Sequence, residues 1–194
     1  MLINKQDIDR VKNKIDKEPW KTYFQATSNL AKKLMEKNPP RVDTTRHYWI
    51  LEQTRFLSRA SITLAGLYTL TGEDKYAKKA WSLIEDTVDW DQWYDSDGEI
   101  VYGLATGEIA FTFSVVFSLL ENWEGKQNNE KIMSAIRERI IKPYRLSTGH
   151  QKINKNAWWY SSTNNWNTVC NGGILCLALY LNKQGEDVED IITT

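Results

Sequence analysis

The stretch IAFTFSVVFSLL, residues 109–120, decides the fold of this chain. Its apolar side chains fall on every side of a helical wheel, while its β-branched and aromatic content would equally suit a buried strand. The segments on either side of it decide for helix. Residues 73–88 carry Tyr76, Ala80, Leu83, Ile84 and Val88 as one stripe at helical spacing, with Lys75, Lys78, Lys79 and Glu85 elsewhere. Residues 129–144 repeat that one-sided pattern through Ile132, Met133, Ile136, Ile140 and Ile141, with Arg137, Glu138 and Arg139 outward. Beyond these, residues 47–70 are apolar on several faces (Ile50, Leu51, Leu57, Ile62, Leu64, Leu67), and residues 169–181 are apolar all round.

The resulting order, buried then surface then buried, is that of helical hairpins whose first members form an inner row. A local repeat supports it. Leu67-Tyr68 followed by Gly72-Glu73-Asp74 recurs as Leu179-Tyr180 followed by Gly185-Glu186-Asp187, each marking the end of an inner helix. Inner helices begin near residues 47, 107 and 168, a period of about 60 that suits stacked helical pairs. The expected fold is all-α, an incomplete α/α toroid of antiparallel helical hairpins. Residues 1–40 are lead-in helices, the first capped by Asn4 and the second started by Pro19, and residues 41–194 are the hairpin repeats. Three inner helices make an arc rather than a closed ring, so the expectation is a fragment that lacks its C-terminal part and self-associates through its open flank.

Composition removes several function classes. Twenty-five basic residues balance twenty-five acidic ones, so no overall field draws the 194-residue chain to nucleic acid or to an anionic membrane. No segment reaches the roughly 18 apolar residues of a membrane span. There is no basic-then-apolar leader, and the abrupt start before a helix is expected of a chain whose leader has been removed. Cys170 and Cys176 sit roughly 9 Å apart along one expected helix at 1.5 Å per residue, too far for a disulfide, and read as small buried hydrophobes. His47 and His150 are too scattered for a zinc cluster, and Asp95-Ser96-Asp97-Gly98 lacks the remaining ligands of a calcium loop. No metal or cofactor is expected.

The chemistry concentrates in WWYSSTNNWNTVCNGG, residues 158–173. Aromatic faces stack on the C–H surface of sugar rings, and amides hydrogen-bond hydroxyls and carboxylates without carrying charge. The same residues can also plug a core and make turns. If the inner helices run parallel, three aromatic clusters share one rim: His47, Tyr48 and Trp49; Trp90, Trp93, Tyr94 and Tyr102; and Trp158, Trp159, Tyr160 and Trp166. Rings that wedge the hairpin ends together are the competing explanation for each of them.

Asn164-Asn165-Trp166-Asn167 with Val169-Cys170-Asn171-Gly172-Gly173 resembles the motif in the helical N-terminal domain of heparinase II/III-type polysaccharide lyases. Leu2-Ile3-Asn4-Lys5-Gln6-Asp7 is similar to the start of mature proteins of that group. The resemblance implies an α/α toroid, a periplasmic or extracellular parent, and β-elimination on a uronic-acid polysaccharide such as a glycosaminoglycan or alginate. It also implies an Asn that neutralises the uronate carboxylate, with Asn165 the best match and Asn164 next. Trp166 follows Asn165 where one version of the motif has His. His47, Tyr48, Trp49, Trp93, Tyr94, Trp158, Trp159, Tyr160, Trp166 and Asn167 are the expected substrate contacts. The family's proton-transferring Tyr and His have no assigned match here, Tyr160 being a distant one, so the chain alone is expected to be inactive and its partner is an acidic polysaccharide or oligosaccharide. Two alternatives stay open. A glycoside hydrolase would need paired carboxylates on the rim, one of them Asp91, Asp95 or Glu108. A non-catalytic helical-repeat module would bind peptide instead.

Overall fold

The computed structural model describes residues 3–38, 49–94, 102–127, 129–149 and 155–193. Every regular element among them is helical. The order is α1 (Lys5–Lys12), α2 (Trp20–Met35), α3 (Trp49–Thr71), α4 (Asp74–Val88), α5 (Leu104–Leu119), α6 (Asn129–Ile136), α7 (Lys142–Thr148), α8 (Asn165–Lys183) and α9 (Glu189–Thr193). A π-helical turn (Arg137–Ile141) joins α6 to α7, and a 3₁₀ turn (Lys155–Ser161) leads into α8. Residues 109–120 are therefore helix up to Leu119, as their one-sided neighbours imply.

Helices α3, α5 and α8 pack side by side in that order, with α5 between the other two. They run parallel. Arg55 near the start of α3 meets Glu108 near the start of α5, and Thr69 near the end of α3 donates to the carbonyl of Leu119 at the end of α5. Between α5 and α8, Gly107 lies against Val169 at the starts, and Phe117 against Tyr180 toward the ends. Helix α4 packs on α3, and α6 on α4, forming a second row behind the first. Helix α5 is the centre of the core: Ile109, Ala110, Phe113 and Val116 are fully buried. Helices α1 and α2 lie against α3.

Local chemistry explains the boundaries. Asn4 and Asp7 form a reciprocal capping box at α1. Gly72 (φ 74°) and Gly185 (φ 84°) end α3 and α8 in the left-handed region that favours glycine, so the repeated tripeptides mark the same backbone turn twice. The π turn ends two residues before Pro143, which has no N–H for a carbonyl one turn back and whose ring crowds it. A widened turn relieves that clash while Ile136, Ile140 and Ile141 stay buried.

One expectation needs revision. Helix α8 is buried along Cys170, Gly173, Ile174, Leu177, Ala178 and Leu181, but Leu175 and Leu179 on its other side are about two-fifths exposed (40% and 42%). Its all-round apolarity is not all core. Among the described residues no helix is long and apolar enough to cross a membrane.

Candidate functional site

Trp159 anchors the loop before α8. It is fully buried, its indole N–H donates to the Tyr102 carbonyl at 3.1 Å, and its ring packs on Tyr102 (5.5 Å) and Tyr144 (6.2 Å). The Tyr102 hydroxyl donates to the carbonyl of Cys170 at 3.1 Å, and the Tyr144 hydroxyl donates to the Asn171 side chain at 3.0 Å. Burial pushes the Tyr102 phenol well above its ordinary value and the Cys170 thiol up to about 12, so both stay protonated at neutral pH. This cluster wedges the starts of α5 and α8 together.

Outside the wedge the loop opens to solvent. Trp158 is 43% exposed and lies 5.0 Å from the half-buried Trp166, their planes tilted by 45°. The Asn167 amide donates to the carbonyl of Tyr160 and ties the loop to the helix. Asn164 is the N-cap of α8, its side-chain oxygen accepting from the Trp166 N–H at 3.0 Å and from the Ser162 hydroxyl at 2.8 Å. The helix thus begins at Asn165, three residues before the start near residue 168 that the sequence suggests, and Asn164 caps it. Asn165 is exposed in the first turn, where the unsatisfied N–H groups favour an anion.

One helical turn on from Asn165, Thr168 enters the wall of a groove of about 550 Å³ between α3, α5 and α8. Gly107, Val169, Gly172, Gly173 and Cys176 form its floor; Arg55, Ser58, Arg59, Glu108, Phe111 and Thr168 complete its sides. The floor exists because α5 and α8 touch backbone to backbone. A Cβ on Gly107 would lie 2.8 Å from the Val169 carbonyl oxygen, and one on Gly173 would collide with the carbonyl of Gly107. Arg55 and Arg59, one turn apart on α3, are exposed. The Arg55 guanidinium is 3.4 Å from the Glu108 carboxylate. Burial raises the Glu108 carboxyl above its ordinary value, and Arg55 pulls against that rise. Glu108 is the sole carboxylate lining the groove, so the carboxylate pair a glycoside hydrolase needs is not found there among the described residues.

The rim expected from the sequence is therefore divided. Trp49, Trp90, Trp93 and Trp159 are buried, and Trp93 donates its indole N–H to the Thr87 carbonyl at 2.8 Å while meeting Phe113 edge-on at 5.6 Å. Packing at the helix ends accounts for Trp93 and Trp159, and all four rings are core rather than exposed rim. Tyr94 and Tyr160 are half-buried. Asp91 is exposed and stands outside the groove lining. His47, Tyr48, His150 and residues 95–98 lie outside the described residues. Cys176 is half-buried and lines the groove, whereas Cys170 is core.

Sequence reading passed over Arg55, Arg59 and Phe111. The two arginines did leave a signal, a cationic pair one turn apart on a helix otherwise apolar on several faces. Phe111 left none, since one exposed ring in an apolar run looks like its buried neighbours. Among the described residues no group of three or more His, Cys, Asp or Glu side chains is arranged to hold a metal ion. The chain matches no model of a known protein family, and no curated protein matches it.

Proposed function

We propose that this chain is the carbohydrate-binding helical portion of a polysaccharide lyase, an arc of an α/α toroid whose inner groove holds a uronic-acid polysaccharide. The observation that carries the reading is the groove itself. Two exposed guanidiniums line a glycine-floored groove, and the exposed Asn165 stands one helical turn before Thr168 in its wall. Arg binds carboxylates and sulfates through a planar fork, Phe111 supplies a ring for a sugar face, and the helix start adds a partial positive charge. The likeness of residues 164–173 to the lyase motif supports the same assignment.

The chemistry follows from the substrate. The proton beside a uronate carboxylate is only weakly acidic while that carboxylate is charged. Asn165, hydrogen-bonding the carboxylate as negative charge develops there, would lower the barrier. A base takes the proton, its electron pair forms the ring double bond, and the glycosidic oxygen leaves with a proton from an acid. Glu108 is half-buried with a raised pKa and lies in the groove, but the proton-transferring pair is not assigned to any described residue.

Affinity electrophoresis through gels containing polygalacturonate, alginate or heparin tests the binding. The chain should be retarded by at least one acidic polymer and not by neutral glucan, and Arg55→Gln with Arg59→Gln should weaken the retardation. Equal retardation by neutral glucan, or none by any acidic polymer, would sink the reading. In a protein that carries the proton-transferring groups, Asn165→Ala should lower the growth of ultraviolet absorbance from the unsaturated product by roughly 10²–10³ with little change in binding.

A further inference from the structure

We infer that the cleft between α1 and α2 is a second saccharide site, shaped for an acidic sugar unit and separate from the groove between α3, α5 and α8. Trp20 and Tyr23, one turn apart at the start of α2, are 48% and 62% exposed, an unusual expense for two large rings on a helix with few buried positions. They are held edge to face at 6.3 Å, and the Lys14 ammonium stands 5.5 Å over the Trp20 ring. Ile15 and Phe24, with Leu70 from the end of α3, close the bottom of a concavity of about 300 Å³. Arg10 and Lys14 stand at its side, and among the described residues no carboxylate lines it. Among the described residues Arg10 has one long, exposed pairing, with Asp7 at 3.7 Å, so its guanidinium keeps donors to spare.

The ligand class follows from what each alternative would leave unused. A neutral sugar would stack on the rings and ignore the two cations. Inorganic phosphate would engage the cations and ignore the rings. A lipid surface needs apolar side chains that project, and these line a hollow. Its pull on the segment would also be weak, because six cations between Lys5 and Lys21 are offset by four carboxylates. A uronate or sulfated sugar uses both halves: its C–H face on Trp20 or Tyr23, its anion on Arg10 and Lys14. This follows from the cleft's own residues and does not depend on the groove being a substrate site.

The test is calorimetry on the full chain carrying Arg55→Gln and Arg59→Gln, so that the groove cannot mask the cleft. The probes are tetrasaccharides of galacturonate, mannuronate and heparin, with cellotetraose, inorganic phosphate and phosphatidylglycerol vesicles as comparators. At least one acidic tetrasaccharide should bind while cellotetraose does not. Trp20→Ala with Tyr23→Ala, and separately Arg10→Gln with Lys14→Gln, should each weaken it roughly tenfold or more. All four side chains are surface groups, and an unchanged circular dichroism spectrum verifies the fold of each variant. The inference is overturned if no acidic tetrasaccharide binds, if the ring substitutions leave binding unchanged, if phosphate competes as well as the sugar, or if those substitutions abolish only vesicle binding. Should the starting Arg55/Arg59 variant bind as the unsubstituted chain does while the cleft variants lose binding, the groove assignment fails and the cleft stands.

Discussion

Asn164 and Asn165 are neighbours of identical chemistry with different surroundings. The oxygen of Asn164 is committed to the first turn of α8, so Asn164→Ala should cost about 1 kcal/mol of stability, read as a lowered midpoint in thermal denaturation. Asn165→Ala should leave that midpoint within error and, in a protein that carries the proton-transferring groups, lower the elimination rate with little change in retardation by acidic polymer. Reversed effects would exchange their roles. Trp158 and Trp159 divide in the same way: Trp159→Ala opens a cavity beneath Tyr102 and Tyr144 and should cost about 3–5 kcal/mol, whereas Trp158→Ala should be nearly neutral for stability. Sequence alone could not separate either pair, because adjacent residues of one type carry identical local signals and only the packed environment distinguishes them.

At the scale of the element, the crossing of α5 and α8 and the clasp at α9 have separate physics. Gly173→Ala drives a methyl group into the Gly107 carbonyl, and two backbones cannot yield as a flexible side chain would. Loss of about 1–3 kcal/mol in chemical denaturation should accompany loss of groove binding. Helix α9 is held by Arg145, whose guanidinium donates to Asp190 at 2.6 and 2.8 Å, and the turn before it by Arg137 on Glu186. These partners hold both carboxyls below the ordinary carboxylate range. With folded values lowered, the unfolded chain binds more protons as pH falls, so this stabilisation is full above the ordinary carboxylate pKa and is lost on acidification. Glu108 has the opposite sign, because its raised value favours the folded state at low pH and that contribution fades as pH rises through it. Hydrogen-exchange protection in α9, taken relative to the intrinsic exchange rate at each pH, should fall on acidification, and Arg145→Gln should remove most of that fall. These pairs are part-exposed, so the effect is modest.

For the whole molecule, the exposed side of α8 sets the expectation. Leu175 and Leu179 lie one turn apart, and Phe111 on α5 is 43% exposed, giving an apolar flank beside the groove. We expect apparent mass in light scattering to rise with concentration, and Leu175→Lys with Leu179→Lys to hold the chain monomeric; a concentration-independent monomer before substitution would refute this. The inner helices were legible in the sequence because a helix that is apolar on several faces can satisfy itself only in a buried row, and the outer ones because a single stripe needs only one neighbour. Gly72 and Gly185 were legible as stops because few other residues accept their backbone angle. The assignment of the aromatics was not legible. A tryptophan before a helix looks the same whether it wedges two helix ends or faces solvent, and the difference depends on which carbonyl comes within reach of its indole N–H. The groove was equally hidden: its floor is two glycines 66 residues apart in the chain, and its cations come from a third helix. Hydrophobic periodicity, a property of each segment alone, thus determined the helices and their layering. The site depends on contacts between segments distant in sequence, and these exist only once the backbones of α5 and α8 have closed on each other.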